Sequence, residues 1–324
     1  MKTLITGGAG FIGSNLAERL LLEGHQVTVI DNLITGRLRN VEPFMDDERF
    51  HFLEVDLAAA PIVDADAIFH LASPASPVGY GRYPLETLHV NAMGTWRALQ
   101  MAVASRARFL LASTSEVYGD PLQHPQPEEY FGNVDPVGPR SCYDEGKRFA
   151  EALTVAHIKE MDVDARIVRI FNCYGPRNRI DDGRMVPTFA AQALRNEPLT
   201  VHGDGSQTRS LCYVDDVVEG LMRAMFREGT SGRVYNLGQP REHSVLEFAS
   251  LIIGIAGSAS TIVHLPPREG EIERRKPDVR RAQQELGWTA ATPLEEGLAR
   301  TINWYRGELR QEGERAVTAT PRTR

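Results

Sequence analysis

Thr6-Gly7-Gly8-Ala9-Gly10-Phe11-Ile12-Gly13 is the stretch whose reading decides the fold. It joins a strand-like run, Lys2–Thr6, to a helical pattern over residues 13–23, with glycines at 7, 10 and 13. Glycine permits a tight turn and lacks the Cβ that would hold the backbone away from a pyrophosphate. The N-terminus of the following helix adds free N–H groups and a partial positive charge. A glycine pattern alone is a weak signal. Here Gly7, Gly10, Phe11, Ile12 and Gly13 are followed, about 20 residues on, by Asp31 at the end of a second strand-like run, where a carboxylate can accept hydrogen bonds from an adenosine ribose.

Working outward, β-branched runs at Lys2–Thr6, Gln26–Asp31, 50–55, 67–71, 109–113 and 165–171 alternate with helical patterns at 13–23, 84–105 and 143–161. Strands apolar on both faces, separated by helices, predict a parallel sheet covered on each side. The expected class is α/β, a doubly wound Rossmann sheet with a smaller C-terminal substrate-binding lobe. Residues 1–171 make the dinucleotide-binding domain, and 213–238 return to it. The lobe spans 172–309, where Gly-, Pro- and Arg-rich loops are broken by a helical 186–195, a helical 215–226 and a strand-like 233–237. Residues 310–324, polar with Thr, Pro and Arg, are expected to form a frayed, flexible tail.

Asp31 also bears on the choice of cofactor. Its charge repels a 2′-phosphate, and Asn32-Leu33 brings no arginine directly beside it, so NAD is favoured over NADP; Arg37 and Arg39 nearby keep the alternative open. Asp56, at the end of the third strand-like run, resembles the acid that contacts adenine in dinucleotide-binding enzymes, although an Asp after a strand also serves as a turn or helix cap.

A net charge of −7 argues against a nucleic acid as partner. Cys142, Cys173 and Cys212 have neither zinc-site spacing nor the density of a disulfide scaffold, and the nine histidines show no metal-site pattern, so reduced thiols and no metal are expected. No stretch approaches the roughly 18 apolar residues of a membrane span, and the apolar pattern starting at Thr3 leaves no room for a charged leader. The cytoplasm is the expected location.

Tyr143-Asp144-Glu145-Gly146-Lys147 puts a phenol and an ammonium on one face of a helix. A unit charge about 4 Å away at an effective dielectric of ~20 is worth about 4 kcal/mol, on the order of three pKa units, enough to support a phenolate near neutral pH. Upstream, Ser113-Thr114-Ser115-Glu116-Val117-Tyr118-Gly119 ends the fifth strand, where open α/β sheets bind ligands.

Together the glycine loop, the Ser113–Gly119 strand end, Tyr-x-x-x-Lys and Arg169-Ile170-Phe171-Asn172-Cys173-Tyr174-Gly175-Pro176-Arg177 resemble the extended short-chain dehydrogenase/reductase superfamily, over residues 2 to about 306. Four longer strings resemble the UDP-glucuronate decarboxylases (UDP-xylose synthases) within it. They are His70-Leu71-Ala72-Ser73-Pro74-Ala75-Ser76-Pro77, Cys142-Tyr143-Asp144-Glu145-Gly146-Lys147-Arg148, Gly205-Ser206-Gln207-Thr208-Arg209 and Arg275-Lys276-Pro277-Asp278.

The resemblance implies an NAD-dependent enzyme acting on a UDP-sugar, a lyase that oxidises C4, loses C6 as CO₂ and either reduces the product to UDP-xylose or releases the 4-keto pentose. It implies Tyr143 as the base at the 4-hydroxyl, Lys147 as its support and ribose anchor, and Thr114 as a partner of the sugar hydroxyl. Ser115 and Glu116 handle the carboxylate region and C5 reprotonation, directly or through water. Arg275 lies near the carboxylate and diphosphate, with Arg209 on the diphosphate. Leu33, Leu57, Leu71, Ala72, Ser73 and Asn91 join the cofactor site, and Asn172, Arg184, Val186, Gln192, Thr200 and His202 the nucleotide-sugar site. A homodimer paired through the helices at 84–105 and 143–161 is implied as well. Two departures stand out: relatives usually carry Tyr or Phe at the position of His202, and often Lys at that of His89.

Ser115-Glu116 stands where a 4,6-dehydratase carries Asp-Glu, and 4-epimerases usually show a small residue at the position of Glu116. A 4-epimerase or 4,6-dehydratase remains the alternative, and a silent NAD-binding regulator is disfavoured by the intact Tyr143, Lys147 and Glu116.

Overall fold

The structure, a computed structural model, describes residues 1–267 and 275–319, with side chains as far as Gln311. Strands β1 (Lys2–Thr6), β2 (Gln26–Asp31), β3 (Phe50–Glu54), β4 (Ala67–His70), β5 (Arg108–Thr114) and β6 (Ala165–Ile170) match the β-branched runs to within a residue or so at each end. The helices between them are α1 (Phe11–Leu22), α2 (Pro77–Arg82), α3 (Pro84–His89), α4 (Thr95–Ser105) and α5 (Ser141–Met161). Beyond β6 come β7 (Cys173–Tyr174), α6 (Met185–Leu194), β8 (Leu199–His202), β9 (Thr208–Arg209) and β10 (Cys212–Tyr213). The chain continues through α7 (Val214–Phe226), β11 (Val234–Leu237), β12 (His243–Ser244), α8 (Val245–Ala256), β13 (Ile262–Leu265) and α9 (Leu294–Ala319).

The main sheet is parallel with the order β11-β6-β5-β4-β1-β2-β3. The chain winds one way from β1 to β3 and the other way from β4 onward, so the strand order reverses beside β1, the place where doubly wound sheets open a crevice at their carboxyl ends. Registers Thr6↔Ile30 and Thr6↔His70 bring the ends of β1, β2 and β4 level, while β5 and β6 end together at Thr114↔Ile170, three residues past the His70↔Leu111 pair. One face carries α4 and α5 over Leu4, Ile68, Phe109 and Leu111. The other carries α1 and α7, and its core runs on without a break into α6, α8 and α9 through Phe189, Phe248, Leu298 and Tyr305. The lobe thus shares a hydrophobic core with the sheet. β11 pairs with β6 through Val234↔Ile167, and α7 packs on β5 and β6.

The single helical pattern at 84–105 is α3 and α4 joined by a π-turn at Val90–Gly94. At that turn the Asn91 side chain donates to Thr87 O (2.8 Å), and Gly94 packs so closely that a Cβ would stand 2.9 Å from Val90. Residues 310–319, expected as frayed tail, continue α9, and 320–324 lie outside the described residues. The correction has a simple origin: Arg310-Gln311-Glu312 and Glu314-Arg315-Ala316 are strong helix formers that extend a helix already anchored by Leu298, Ile302 and Tyr305. Leu85, Leu88, Met93, Trp96, Phe149 and Val155 leave apolar surface exposed on the α3–α4 run and α5. No helix among the described residues is long and apolar enough to cross a membrane.

A Cβ at Gly13 would stand 2.3 Å from Gly7 O and 2.8 Å from Gly8 Cα, both backbone atoms. Gly254, inside α8, has nothing within 4 Å of the same position. Gly13→Ala is therefore expected to cost about 1–3 kcal/mol and to weaken dinucleotide binding. Gly254→Ala is expected to gain up to about 1 kcal/mol. Thermal denaturation with cofactor titration checks both.

Candidate active site

Gly7 has φ +74°, and a Cβ there would meet Ala72 Cα at 2.7 Å, so the turn after β1 lies flush against the chain leaving β4. The cap residue of α1, Gly10, supplies no side-chain bond to the first turn, and Phe11, Ile12 and Gly13 line the cleft. A glycine cradle at a helix N-terminus with no side-chain cap fits a pyrophosphate. Asp31 is buried at the end of β2, accepting from Ala9 N (3.0 Å) on one oxygen and Leu33 N (2.9 Å) on the other. Burial raises its pKa, and those two bonds oppose the rise. Asp56 does two jobs, capping the turn at Ala58 N (2.9 Å) and accepting from Asn32 Nδ2 (3.1 Å). Arg37 and Arg39, the two cations that kept a 2′-phosphate open, both pair with Glu308 of α9, at 3.2 and 2.8 Å. A 2′-phosphate would have to compete with that carboxylate.

At the end of β5, Thr114 accepts from Glu116 N (3.2 Å) and caps the short 3₁₀ turn Ser115–Tyr118. Tyr143 and Lys147 come from the first turns of α5, as the spacing requires. Tyr143 is buried, stacks on Tyr80 (5.1 Å between ring centroids) and faces the Thr114 side chain. Burial pushes its phenol up, while Thr114 and the charge of Arg184 pull it down. Lys147, one turn further along α5, is buried as well. Its Nζ donates to Ala112 O at 2.9 Å, and burial lowers the amine to about 8. Next to it, His70 bridges Thr6 Oγ1 (2.7 Å) and Thr95 Oγ1 (2.9 Å); burial, with the Lys147 charge adding, lowers its pKa to about 3 and keeps the ring neutral.

Glu116 sits between two guanidiniums, Arg275 on one oxygen and Arg140 on the other. Arg275 Nη2 also donates to Gly119 O (3.3 Å), and burial lowers this guanidinium to about 10 against the pull of Asp144. Asp144, 3.9 Å from Arg140, is pushed up to about 6 by burial, with Arg140 and Arg275 opposing. Arg140 and Tyr80 line the cleft and were missed in the sequence. Arg140 lies three residues before Tyr143, where a helix-start reading could have found it. For Tyr80, in Gly79-Tyr80-Gly81, no sequence signal pointed to Tyr143.

These groups share one cleft of about 950 Å³ that runs from Asp31 past Lys147 to Arg209 and Arg275. It gathers Gly7, Gly10, Phe11, Ile12, Gly13, Asp31, Asn32, Asp56, Leu57, Leu71, Ala72 and Ser73 at the nucleotide end. Thr114, Ser115, Glu116, Tyr143, Lys147, Asn172, Arg184, Val186, Arg209 and Arg275 line the rest. Leu33, Asn91, Gln192, Thr200 and His202 do not line it. Leu33 packs its side chain on the core, and Asn91 sits behind Ser73, donating to its Oγ at 3.0 Å. Gln192 and Thr200 satisfy each other (3.0 and 3.2 Å), and His202 donates to Pro266 O (3.0 Å).

Lys147 gives a pH-dependent prediction. Its folded value of about 8 lies below the ordinary 10.5, so the burial penalty is complete below about pH 8, shrinks as the folded state sheds the proton first, and is gone near 10.5. Lys147→Met should therefore raise the stability of the cofactor-free protein at pH 7 by on the order of 1–2 kcal/mol, after allowing for the lost bond to Ala112. The gain should fade between about pH 8 and 10.5, while activity is lost. Melting temperature against pH measures it, and a lower melting temperature at pH 7 would contradict it.

Residues 3–238 match the model of the NAD dependent epimerase/dehydratase family. The chain is 49% identical over 321 residues to UDP-glucuronic acid decarboxylase 1 of Xenopus tropicalis, spanning 99% of this chain and 76% of that protein. It is 47% identical over 326 residues to UDP-glucuronic acid decarboxylase 2 of Arabidopsis thaliana, spanning 100% and 73%. Among solved structures, UDP-glucuronic acid 4-epimerase from Bacillus cereus, in complex with UDP-glucuronic acid and NAD, superposes with a TM-score of 0.85 at 29% identity, covering 95% of this chain and 100% of that one. With the glycine cradle, the Tyr143–Lys147 helix and the Glu116 strand end in one cleft, the chain belongs to the NAD dependent epimerase/dehydratase family and, within it, to the UDP-glucuronic acid decarboxylases.

Proposed function

We propose that the chain decarboxylates UDP-glucuronate with NAD, giving UDP-xylose when the cofactor returns its two electrons, or the UDP-4-keto pentose with the cofactor left reduced. The observation that carries the reading is Glu116 held between Arg275 and Arg140 at the strand end that also presents Thr114 to Tyr143. A sugar bound with its 4-hydroxyl at Tyr143 brings its C6 carboxylate toward these guanidiniums, which suit a planar, bidentate anion.

NAD, when bound, would supply the two-electron acceptor for C4 and, on the route to UDP-xylose, the donor that reduces it again. Tyr143 takes the 4-hydroxyl proton, with Thr114 orienting the sugar hydroxyl and Lys147 holding the ribose. The resulting C4 ketone lies β to the C6 carboxylate, so the C5–C6 bond breaks with its electrons entering an enolate as CO₂ leaves. Glu116 and Ser115 return a proton to C5, directly or through water. Arg275 orients the carboxylate and reaches the diphosphate with Arg209. Asp31 takes the adenosine ribose of NAD. The rival 4-epimerase shares the first oxidation and parts from this path when CO₂ leaves.

The exposed apolar side chains on the α3–α4 run and α5 support a homodimer joined through a four-helix interface. The free thiols of Cys142, Cys173 and Cys212 are in keeping with the cytoplasm. Light scattering is expected to give twice the 36.0 kDa chain mass at micromolar concentration; the monomer mass would contradict the dimer.

Glu116→Gln is expected to keep UDP-glucuronate binding and the first oxidation but to cut CO₂ release by roughly 10²–10⁴. Tyr143→Phe should block oxidation, so that no reduced nicotinamide accumulates. Stopped-flow absorbance at the nicotinamide band, run with labelled CO₂ release, separates the two. Wild-type CO₂ release in Glu116→Gln would overturn the assignment of Glu116.

A further inference from the structure

Arg275 is bound to the cleft through its guanidinium, but its place along the chain is set by the residues that follow it. Gln126, fully buried in the loop between β5 and α5, makes three hydrogen bonds to them. Its N donates to Lys276 O (3.0 Å), its Oε1 accepts from Lys276 N (3.0 Å), and its carbonyl accepts from Asp278 N (2.9 Å). Its Nε2 donates back to Gln123 O (2.7 Å), so the amide is used at both ends.

Asn236, fully buried on β11, closes the clamp. Its Nδ2 donates to Gln126 O (3.0 Å) and Asp278 O (3.2 Å), and its Oδ1 accepts from the Tyr118 hydroxyl (2.8 Å). Tyr118 lies two residues beyond Glu116 and accepts from Arg169 Nη1 (3.0 Å). Arg169 is paired with Glu151, one turn beyond Lys147 on α5 (2.7 Å), and Glu151 accepts from Ser113 (2.5 Å). One buried chain of bonds thus joins the strand end at Ser113, the helix of Tyr143 and Lys147, and the segment of Arg275. Each link uses a group whose partner would otherwise be buried and unsatisfied, so the chain resists partial loosening.

We propose that Gln126 and Asn236 are positioning residues for Arg275, holding the Arg275–Asp278 segment in register with Glu116 so that guanidinium and carboxylate meet the sugar acid together. The proposal rests on the reading that Arg275 orients that acid. The dinucleotide cradle at Gly7–Gly13 lies outside this chain of bonds, and Gln126 and Asn236 themselves bond to the Arg275–Asp278 segment and Tyr118, so their substitution is felt first at the sugar end.

Gln126→Met removes the acceptor for Lys276 N and leaves the backbone bonds of residue 126 in place. It is expected to lower CO₂ release from UDP-glucuronate roughly 10- to 100-fold, the scale of a misplacement of about 1 Å, with NAD affinity changed by less than about 2-fold. Because it acts through Arg275, it should cost little more in an Arg275→Lys background. Tyr118→Phe, which removes one hydroxyl and keeps the ring, should show the same pattern at roughly 3- to 10-fold if the Gln126 variant does not fold. Losses that multiply in the double variants, unchanged CO₂ release, or a parallel fall in NAD affinity would each overturn the clamp. A wild-type protein that releases no CO₂ would instead sink the decarboxylase reading; the same coupling is then measured in UDP-glucuronate affinity.

Discussion

A parallel sheet covered by helices on both faces can present polar groups to a ligand only where its strands end, and everything reactive in this protein is crowded into that edge. The ends of β1, β2 and β4 stand level, β5 runs three residues past β4 to Thr114, and the reversal of strand order beside β1 opens the space above them. The same burial that stabilises the sheet desolvates any charge placed at its rim. That constraint explains why the site is built from groups tied to backbone carbonyls and N–H groups. Lys147 is held by Ala112 O, Asp31 by Ala9 and Leu33 N, and Glu116 N by Thr114.

Electrostatics follow from the same crowding. Burial moves Lys147 down to about 8, Asp144 up to about 6 and Arg275 down to about 10, in each case toward the neutral form. Such shifts mean that the folded protein is less stable than it would be with apolar residues there. A bound anionic sugar and a cationic nicotinamide would complete this charge pattern, whereas a neutral sugar would leave the Arg140–Arg275 pair answered by the protein's own carboxylates, Glu116 and Asp144.

The two ends of the cleft are held in different ways. The nucleotide end depends on backbone shape: glycines that let the turn of β1, the start of α1 and the exit of β4 touch. The sugar end depends on side-chain bonds that cross between elements distant in sequence, from Ser113 through Glu151, Arg169 and Tyr118 to Asn236, Gln126 and Lys276. Substitution in the first should disturb cofactor binding, and in the second the handling of the sugar.

Local pattern was enough for the sheet, the dinucleotide turn and the Tyr143–Lys147 face, because periodicity, glycine placement and i,i+4 spacing act over a few residues and survive any tertiary context. The motifs also brought Glu116, Arg209 and Arg275 to one site, although nothing local puts residue 275 beside residue 116. Only the tertiary structure decided how the charges are shared. It turned Lys147 to a carbonyl and set Arg184 among the groups that pull the Tyr143 phenol down; it brought Arg140 to Glu116 and Glu308 to Arg37 and Arg39. It also left Gln192, Thr200 and His202 off the cleft wall and carried α9 through to Ala319. These outcomes depend on distances between segments far apart in the chain, and on which buried polar group finds a partner first, neither of which a one-dimensional pattern contains.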